Sequence, residues 1–319
     1  MSKPLVSILI AAYSHERFIE ETIHSLINQT YQNLELIIID DGSEDGTYQK
    51  MLELKPECEK RFVRVDFSTQ SNCGVCETLN RLITKAKGEF VFLTASDDIA
   101  KPNAIEKLVS FMENHDDYVL AVGDNEFIDE NSKRIGWNKH QQSVDIDMAR
   151  YKTFGAYLQH TYSDVDFLSD QFGRYETFIQ KNYIPNGFLI RTSAQKKKAK
   201  FTSEAPLEDL FMHLQLSKFG KYKYIDEVLF SYRIHNGNTF TKTNLMKDMA
   251  YKTRIYEQKL VHQKGMEQWA EIFDKYSVMN ITKFRIGHFI HFYKQIDLMY
   301  KTKILEIFGH KFILKHKKR

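Results

Sequence analysis

Short apolar runs alternate with amphipathic segments along the first third of the chain. Runs of strand length cover 6–12, 34–39 and 62–67, and a fourth begins at Phe90. Between them, 18–26 places apolar residues at helical spacing, and helices are predicted from Thr47 and up to Lys87. Strands that alternate with helices predict right-handed crossovers. The fold class is therefore α/β, with a Rossmann-like, mostly parallel sheet and flanking helices.

The middle of the chain continues this pattern less regularly. We expect a helix up to about residue 115, a strand at 118–123, a hairpin near 129–134 and a strand at 183–191. Apolar residues recur at helical spacing in 206–220, which predicts a helix facing the core. Residues 138–183 show no clear period, so part of them is expected to form an ordered loop over a cleft.

The last part of the chain is basic and striped with apolar residues. Between 286 and 308, isoleucine, phenylalanine and tyrosine recur every three or four residues, with lysines between them. This spacing predicts a basic amphipathic helix or helix pair in an extension over 241–319. Two interpretations stay open: the stripe packs on the core, or residues 281–319 make peripheral contact with an anionic membrane surface.

Composition narrows the class of protein. The chain has 319 residues, 42% of them hydrophobic and 27% charged, as in a globular protein. No apolar run reaches the roughly 18–20 residues of a spanning helix, and the N-terminal run is too short for a signal peptide. Cys58, Cys73 and Cys76 form no disulfide framework. We therefore expect a cytoplasmic location, and the net charge of +3 gives no reason to expect nucleic-acid binding.

Acidic pairs follow two of the predicted strands. Asp41 ends the second strand's acid pair, and Asp97 and Asp98 follow the strand that begins at Phe90. Ligands bind outside the carboxyl ends of parallel strands, so these acids and Tyr13 should approach one crevice. Two carboxylates there suit a divalent cation that neutralises a pyrophosphate. The alternative is that they cap the following helix.

Two further groups are candidates for chemistry. Glu208 and Asp209 open the predicted helix, where Asp209 suits a general base, although the helix macrodipole alone also favours acids in a first turn. Arg233 and His235 follow an apolar run, and they suit phosphate oxygens and a metal respectively. The alternative is an ordinary surface pair. No GxGxxG and no GxxxxGK[ST] occurs, which disfavours a dinucleotide fold and a P-loop.

Together these segments resemble the nucleotide-sugar glycosyltransferases of family 2, the inverting class with the GT-A fold. The resemblance rests on VSILIAAYSHERFIEETIHSLINQTYQNLELIIIDDGSEDGT, NCGVCETLNRLITKAKGEFVFLTASDD, the acid pair in PLEDLFMHL, and YRIHNGNT. It implies a catalytic domain over 1–240, with a nucleotide-binding half at about 1–123 and an acceptor half at about 124–240. The basic extension over 241–319 lies outside it.

The resemblance also implies roles for individual residues. Ala11 and Tyr13 match the wall of the nucleotide site, and Asp41 matches the carboxylate that contacts the uracil edge. Asp97 matches the group near the ribose and the metal, and Asp98 matches the acid that ligates the metal.

The resemblance gives the remaining roles to the second half of the domain. Asp209 matches the catalytic base, and Arg233 and His235 match the leaving-group side of the nucleotide site. The family's fuller metal motif has an Asp at the place of Ala95, and a shorter form without it also occurs. The ligand count of the metal therefore stays open.

The implied activity is inverting transfer of a sugar from a UDP-sugar, with Mn²⁺ or Mg²⁺ as cofactor. The implied acceptor is a glycan, or a polyprenyl-diphosphate-linked precursor of a bacterial surface polysaccharide, handled at the inner face of the cell membrane. Two alternatives are a catalytically silent protein that binds nucleotide and sugar, which Ala95 favours, and a sugar nucleotidyltransferase. The latter lacks the Gly-rich, Lys-bearing N-terminal loop it would need for a triphosphate.

Overall fold

A computed structural model of the protein contains a large mixed sheet and a second, antiparallel sheet. It describes residues 3–238, 242–286, 290–296, 300–307 and 310–318. The strands are β1 (Val6–Ala12), β2 (Leu34–Asp40), β3 (Arg64–Thr69), β4 (Phe90–Ala95), β5 (Ile99–Ala100), β6 (Tyr118–Ile128), β7 (Arg134–Trp137), β8 (Ser143–Asp145), β9 (Phe188–Arg191), β10 (Lys221–Arg233), β11 (Met279–Ile286), β12 (Ile290–Ile296), β13 (Tyr300–Ile307) and β14 (His310–Lys318). The helices are α1 (Ile19–Ile27), α2 (Thr47–Arg61), α3 (Val75–Lys85), α4 (Ala104–Met112), α5 (Phe154–Thr161), α6 (Tyr175–Phe178), α7 (Thr192–Lys198), α8 (Glu208–Leu216), α9 (Thr243–Val261) and α10 (Glu267–Tyr276).

The large sheet confirms the predicted α/β class. Its main path runs β3, β2, β1, β4, β9, β6, β10, β5. The pairs β1–β2, β1–β4, β2–β3 and β6–β10 are parallel, whereas β9 runs antiparallel between β4 and β6. The parallel pairs place the carboxyl ends of β1, β2 and β4 side by side at one edge of the sheet.

The sheet is buried on both faces, which explains the continuous apolar runs of its strands. Along β1, Val6, Ile8 and Ile10 contact one core, and Leu9 contacts the other. The helices α1, α2 and α4 contribute to the first core, and α3 and α8 contribute to the second. The register of each strand is therefore fixed, because a shift by one residue would exchange its two faces.

The segment without a clear period contains short regular elements. Residues 138–183 include β8, α5 and α6, and they pack beside a smaller aromatic cluster of Phe127, Trp137 and Tyr151. The rings of Phe127 and Trp137 stack with centroids 4.2 Å apart. Most of the buried aromatic residues of the segment itself belong to the larger core that also contains Leu210, among them Phe167, Phe172, Tyr175 and Phe178.

The helices α9 and α10 confirm a C-terminal helical extension, and it packs against the rest of the chain. Val261 and Phe273 belong to the same core as Leu210 of α8. The hydroxyl of Thr253 accepts a hydrogen bond from the backbone N–H of Leu207 at 3.0 Å, directly before α8 begins. The predicted domain boundary at residue 240 lies outside the described residues.

The predicted helix or helix pair over 281–319 is wrong. This region forms an antiparallel sheet of four strands in the order β11, β12, β13, β14. Its isoleucines, phenylalanines, tyrosines and threonines favour strands, because branched and aromatic side chains fit a pleated surface. A spacing of three also occurs inside a strand, since Ile290, Tyr293 and Ile296 all lie in β12. Of the predicted stripe, Phe289 and Phe308 lie outside the described residues. The described part of the chain contains no helix with the length and apolar content to cross a bilayer.

Candidate active site

The carboxyl ends of β1, β2 and β4 bring three predicted positions to one edge of the sheet. Tyr13 follows β1 and is 50% exposed. Asp41 follows β2, and Asp97 comes two residues after β4. Ala11 lies in β1 opposite Ala95 of β4. Tyr13 and Ala95 are 82 residues apart in sequence, and the parallel pairing of the strands brings the two chain segments together.

Asp41 is held as an ionised acceptor. Its Oδ1 accepts hydrogen bonds from Gln70 Nε2 at 2.7 Å and from the Cys73 backbone at 3.0 Å, and its Oδ2 accepts one from the Gly74 backbone at 2.9 Å. Burial raises the pKa of an aspartate, but these hydrogen bonds outweigh it and lower the pKa of Asp41. The loop before α3 therefore fixes a negative charge at the edge of the cleft.

A cluster of three side chains is suited to a metal ion. Among the residues that the structure describes, His15, Asp97 and His235 place one ligand atom each within 4.8 Å of one another. His235 Nε2 lies 2.9 Å and His15 Nε2 lies 3.8 Å from Asp97 Oδ2. The backbone N–H of Gly237 donates to His235 Nδ1 at 3.1 Å, so His235 Nε2 carries the proton that is donated to Asp97. Two imidazoles and a carboxylate fit a divalent first-row ion such as Mn²⁺. His235 Nε2 would ligate the ion after its proton moves to Nδ1, which requires the hydrogen bond from Gly237 to open.

The histidine on the β1–α1 loop is kept neutral. Burial is the largest influence and lowers the pKa of His15, Asp97 raises it, and His235 lowers it again. A neutral imidazole is the form that ligates metals.

Asp98 lies beneath this cluster and is only 1% exposed. Its Oδ1 accepts a hydrogen bond from the backbone N–H of Arg233 at 2.9 Å, and its Oδ2 accepts one from Asn186 at 3.4 Å. Burial, and then the charge of Asp97, raise the pKa of Asp98 well above its usual value. Asp98 thus connects the loop after β4 to the end of β10. Its assignment as a metal ligand stays a prediction.

The guanidinium of Arg233 is fully buried and has protein partners on all three nitrogens. Nε donates to the Asp97 carbonyl at 2.7 Å, one terminal nitrogen donates to Ser132 at 2.9 Å and to the Asp129 carbonyl at 3.1 Å, and the other donates to Glu21 at 2.6 Å. Arg233 thus joins the loop after β4 and the β6–β7 loop to helix α1. The predicted contact with a leaving phosphate stays a prediction.

The loop before β9 connects the acid pair to the candidate base. Asn182 Nδ2 donates to Asp209 Oδ2 at 2.9 Å, and Asn186 Nδ2 donates to Asp98 Oδ2 at 3.4 Å. Burial and the charges of Asp98, Asp97 and Asp209 all raise the pKa of Tyr232, so the three carboxylates are close enough to influence one phenol. That they line a single crevice stays a prediction.

Glu208 and Asp209 form a coupled pair of carboxyl groups at the start of α8. Burial, and then repulsion from Asp209, raise the pKa of Glu208 to about 8. Burial also raises the pKa of Asp209, although hydrogen bonds from Asn182 and the Leu210 backbone oppose the rise. A carboxylate with a raised pKa is a stronger base, which is the property a general base needs near neutral pH.

Sequence reasoning missed several residues of this site, and the reason is geometric. His15, Asn182 and Asn186 reach the acids across the cleft, through contacts between residues distant in sequence. His15 stands in a polar turn, and the two asparagines stand in a turn before a strand, where such residues are common for local reasons. Asn80 fixes loop backbone through two hydrogen bonds with Phe201, each of 2.9 Å.

Comparison with known proteins identifies the family. The sequence profile described as "Glycosyl transferase family 2" matches residues 7–173. An uncharacterized glycosyltransferase of Haemophilus influenzae is 32% identical over 245 residues, which are 76% of this chain and 69% of that protein. The chain belongs to glycosyl transferase family 2.

The family 2 assignment confirms the prediction of a glycosyltransferase and leaves its donor and acceptor open. The putative teichuronic acid biosynthesis glycosyltransferase TuaG of Bacillus subtilis is 34% identical over 110 residues, 34% of this chain and 42% of that protein. The matched part of the chain spans 69% of the length of the first Haemophilus protein. It spans about half or less of three other curated relatives, namely 52%, 44% and 42% of their lengths.

Solved structures of similar fold support the GT-A architecture. Residues 1–349 of S. aureus TarS in complex with UDP-GlcNAc give a TM-score of 0.55 at 15% identity, covering 85% of this chain and 71% of that one. The mannosyltransferase PcManGT from Pyrobaculum calidifontis, in complex with GDP-Man and Mn²⁺, gives 0.54 at 12% identity, covering 86% and 69%. At these low sequence identities, the structural similarity establishes the fold of this protein and nothing further.

Proposed function

We propose that this protein moves a sugar from a UDP-sugar to a hydroxyl group of a glycan acceptor, with inversion and with a divalent ion, Mn²⁺ or Mg²⁺. The observation that carries the proposal is the 182–186 loop, which bonds to Asp98 on one side and to Asp209 on the other. It brings a base of raised pKa beside the Asp97 cluster. The similar folds with bound UDP-GlcNAc and with GDP-Man and Mn²⁺ support the same class of donor.

The nucleoside is assigned to the edge formed by β1 and β2. Tyr13 and the backbone of Ala11 form the wall, and the carboxylate of Asp41 accepts from the uracil edge. Its low pKa supports this role, because an ionised carboxylate accepts hydrogen bonds more strongly than a neutral one.

The diphosphate is assigned to the Asp97 side of the crevice. Asp97 and His235 would hold the ion, with Asp98 as the further carboxylate and Arg233 on the leaving-group side. When bound, the ion supplies positive charge for the departing nucleoside diphosphate. The residues themselves orient the donor so that its anomeric carbon faces Asp209.

Asp209 removes the proton from the acceptor hydroxyl as the new glycosidic bond forms. One carboxylate on the acceptor side is sufficient for a single displacement with inversion. Asn182 orients Asp209 by donating to Oδ2, which leaves Oδ1 toward the start of α8, where the Leu210 backbone donates to it at 2.6 Å. The rival function, a silent protein that binds nucleotide and sugar, is favoured only by Ala95.

The proposed acceptor is a polyprenyl-linked precursor of a surface polysaccharide, at the inner face of the cell membrane. TuaG, named for teichuronic acid biosynthesis, supports this class of acceptor. The last strand, β14, exposes Phe312, Ile313 and Leu314 beside Lys311 and Lys315. Exposed apolar and basic side chains on one strand suit anionic headgroups. Unchanged flotation with anionic vesicles after removal of residues 281–319 would refute this contact.

Screening UDP-sugars for slow donor hydrolysis tests the proposed activity. We expect release of UDP from one or a few UDP-sugars in the presence of Mn²⁺, and its loss when EDTA removes the ion. The measurement is UDP release, with heat-inactivated protein as the background. Binding of UDP and Mn²⁺ by calorimetry, without hydrolysis or transfer across an acceptor panel, would favour the silent binder instead.

Gly42→Ala is expected to weaken UDP binding more than Gly265→Ala does. Both glycines have positive φ, 76° and 87°, so each substitution strains the backbone. A Cβ at Gly42 would lie 2.7 Å from the Asn72 backbone nitrogen, whereas one at Gly265, between α9 and α10, meets nothing within 4 Å. Only the first substitution displaces the loop beside Asp41. Calorimetry with UDP measures the difference, and equal affinities would contradict the assignment of Asp41.

A further inference from the structure

The β1–α1 loop carries a second histidine, His15, to the Asp97 cluster, where its ring meets that of His235. His15 Nε2 lies 3.8 Å from Asp97 Oδ2, a separation that leaves room for an ion between them. The His15 and His235 rings meet edge to face with centroids 5.6 Å apart. Both imidazoles thus face the same carboxylate oxygen, although they are 220 residues apart in sequence.

The backbone around His15 is held in place before any ligand arrives. Three successive N–H groups of the loop donate to three side chains of the β2–α2 loop. Ser14 donates to Ser43 at 2.8 Å, His15 to Thr47 at 2.9 Å, and Glu16 to Asp45 at 3.1 Å. Ser14 has φ 53°, which turns the chain sharply just before the histidine. Such preorganisation lowers the entropy cost of using a loop residue as a ligand.

The second ring nitrogen of His15 has a partner that suits metal ligation. His15 Nδ1 lies 2.7 Å from Ser96 Oγ. With the proton on Nδ1, His15 donates to this hydroxyl and its Nε2 lone pair faces Asp97. Histidines that bind metals usually donate their other N–H in this way, which fixes both tautomer and ring orientation. His235 differs, because its Nδ1 accepts a hydrogen bond from the Gly237 backbone.

We propose that His15 is a direct ligand of the divalent ion, so that the site is formed by two imidazoles and the Asp97 carboxylate. This inference rests on the proposed metal-dependent function, and it adds a ligand from the β1–α1 loop. Nitrogen ligands favour first-row transition ions, whereas Mg²⁺ prefers oxygen ligands and keeps its water. The protein should therefore bind Mn²⁺ and Co²⁺ more tightly than Mg²⁺, and His15 should account for part of the difference.

Calorimetry with MnCl₂ and MgCl₂ on the full chain tests the selectivity. His15→Ala is expected to raise the Kd for Mn²⁺ at least about tenfold. That is the lower end of the loss in metal affinity when a residue that supports a metal ligand is removed, and a direct ligand should contribute no less. The Kd for Mg²⁺ should rise less, so the ratio of the two constants falls. His24→Ala is the matched control, since His24 is a partly exposed histidine on α1 that lies 3.5 Å from Glu57.

Substitution by cysteine gives a readout that only direct ligation produces. With Co²⁺ bound, His15→Cys should show a thiolate-to-cobalt charge-transfer band in the near ultraviolet, and His24→Cys should not. The unaltered protein, which keeps Cys73 and Cys76, is the spectral reference. Melting temperatures measured without metal establish that each variant is folded.

The possible outcomes separate this inference from the proposed function. If the unaltered protein binds Mn²⁺, and His15→Ala binds it equally well while His15→Cys gives no new band, the role of His15 is refuted and metal dependence stands. If the unaltered protein binds none of the ions with or without UDP, the proposed metal dependence fails as well. A lower Mn²⁺ affinity together with the cobalt band supports the inference.

Discussion

Asp209→Asn is expected to lower the rate of sugar transfer roughly 10²–10⁴-fold while UDP still binds, because general bases contribute on that order. The amide has nearly the shape of the carboxylate, and it cannot accept the proton of the acceptor hydroxyl. Asn182 and the Leu210 backbone donate to the two oxygens of Asp209, and the single amide oxygen of the variant keeps one of these hydrogen bonds. Transfer to the acceptor and UDP affinity are measured separately. Transfer at the normal rate would show that another group is the base.

Glu208→Gln is the matched control for this variant. It removes the neighbouring carboxyl group of the pair and leaves Asp209, so transfer should persist. A loss as large as that of Asp209→Asn would contradict the assignment of the base to Asp209 alone.

The pH profile of the unaltered enzyme gives a second measurement of the same base. Asp209 must be ionised to act, and burial raises its pKa above the usual value for an aspartate. Activity should therefore be present above that raised pKa and fall as the pH decreases through it. The acidic limb of kcat/KM should lie above the ordinary aspartate range and be absent from the UDP affinity.

The parallel sheet was predictable because burial on both faces leaves a simple trace in the sequence. A strand such as β2, LELIIID, is apolar nearly throughout and ends in acids, so both its burial and its functional end can be inferred. Parallel pairing then places the end of β2 beside the ends of β1 and β4. The positions of Tyr13, Asp41 and Asp97 at one edge follow from these two facts.

The partners of the acids were not predictable, because tertiary contacts decide them. Asn182 and Asn186 lie in a segment whose only local feature is a turn, and their hydrogen bonds join residues 27 and 88 positions apart. The partners of Arg233 were not predictable either, although its position after an apolar run suits phosphate binding. Its burial depends on Glu21 of α1 and on Asp129 and Ser132 of the β6–β7 loop, which are distant from it in sequence.

The C-terminal region shows the limit of periodicity itself. Over 279–318 the described residues form four strands of seven to nine residues, and an apolar residue every third or fourth position satisfies a helical template by coincidence. The high content of β-branched and aromatic residues favours strands, and an interpretation based on spacing alone overlooks this preference.

Glu257→Gln is expected to destabilise the folded protein by about 3–5 kcal/mol, the usual effect of removing one partner of a buried ion pair. Glu257 Oε1 lies 2.6 Å from Lys218 Nζ, and both side chains are fully buried. Tyr175 donates to Oε1 at 2.7 Å and Gln215 donates to Oε2 at 2.5 Å. The variant leaves the Lys218 ammonium without a carboxylate in the core. Urea unfolding followed by circular dichroism measures the free energy of unfolding.

A second ion pair on the same helix provides the control. Lys252 and Asp248 of α9 lie 2.7 Å apart, with side chains 60% and 51% exposed. Because water screens an exposed pair, Lys252→Ala should cost only about 0–1 kcal/mol. Similar losses from Lys252→Ala and Glu257→Gln would show that the buried pair contributes no more than a surface one.

The buried pair also relates the C-terminal helices to the active site, since Lys218 and Gln215 lie at the end of α8 and Glu257 lies on α9. Thr253 of α9 accepts from the Leu207 backbone at the other end of α8, one residue before Glu208. The helix that carries Asp209 is thus held at both ends by α9. If α9 were a separate appendage, Glu257→Gln would leave the unfolding of the catalytic core unchanged. We expect instead that the loss of stability and the loss of transfer activity occur at the same urea concentration.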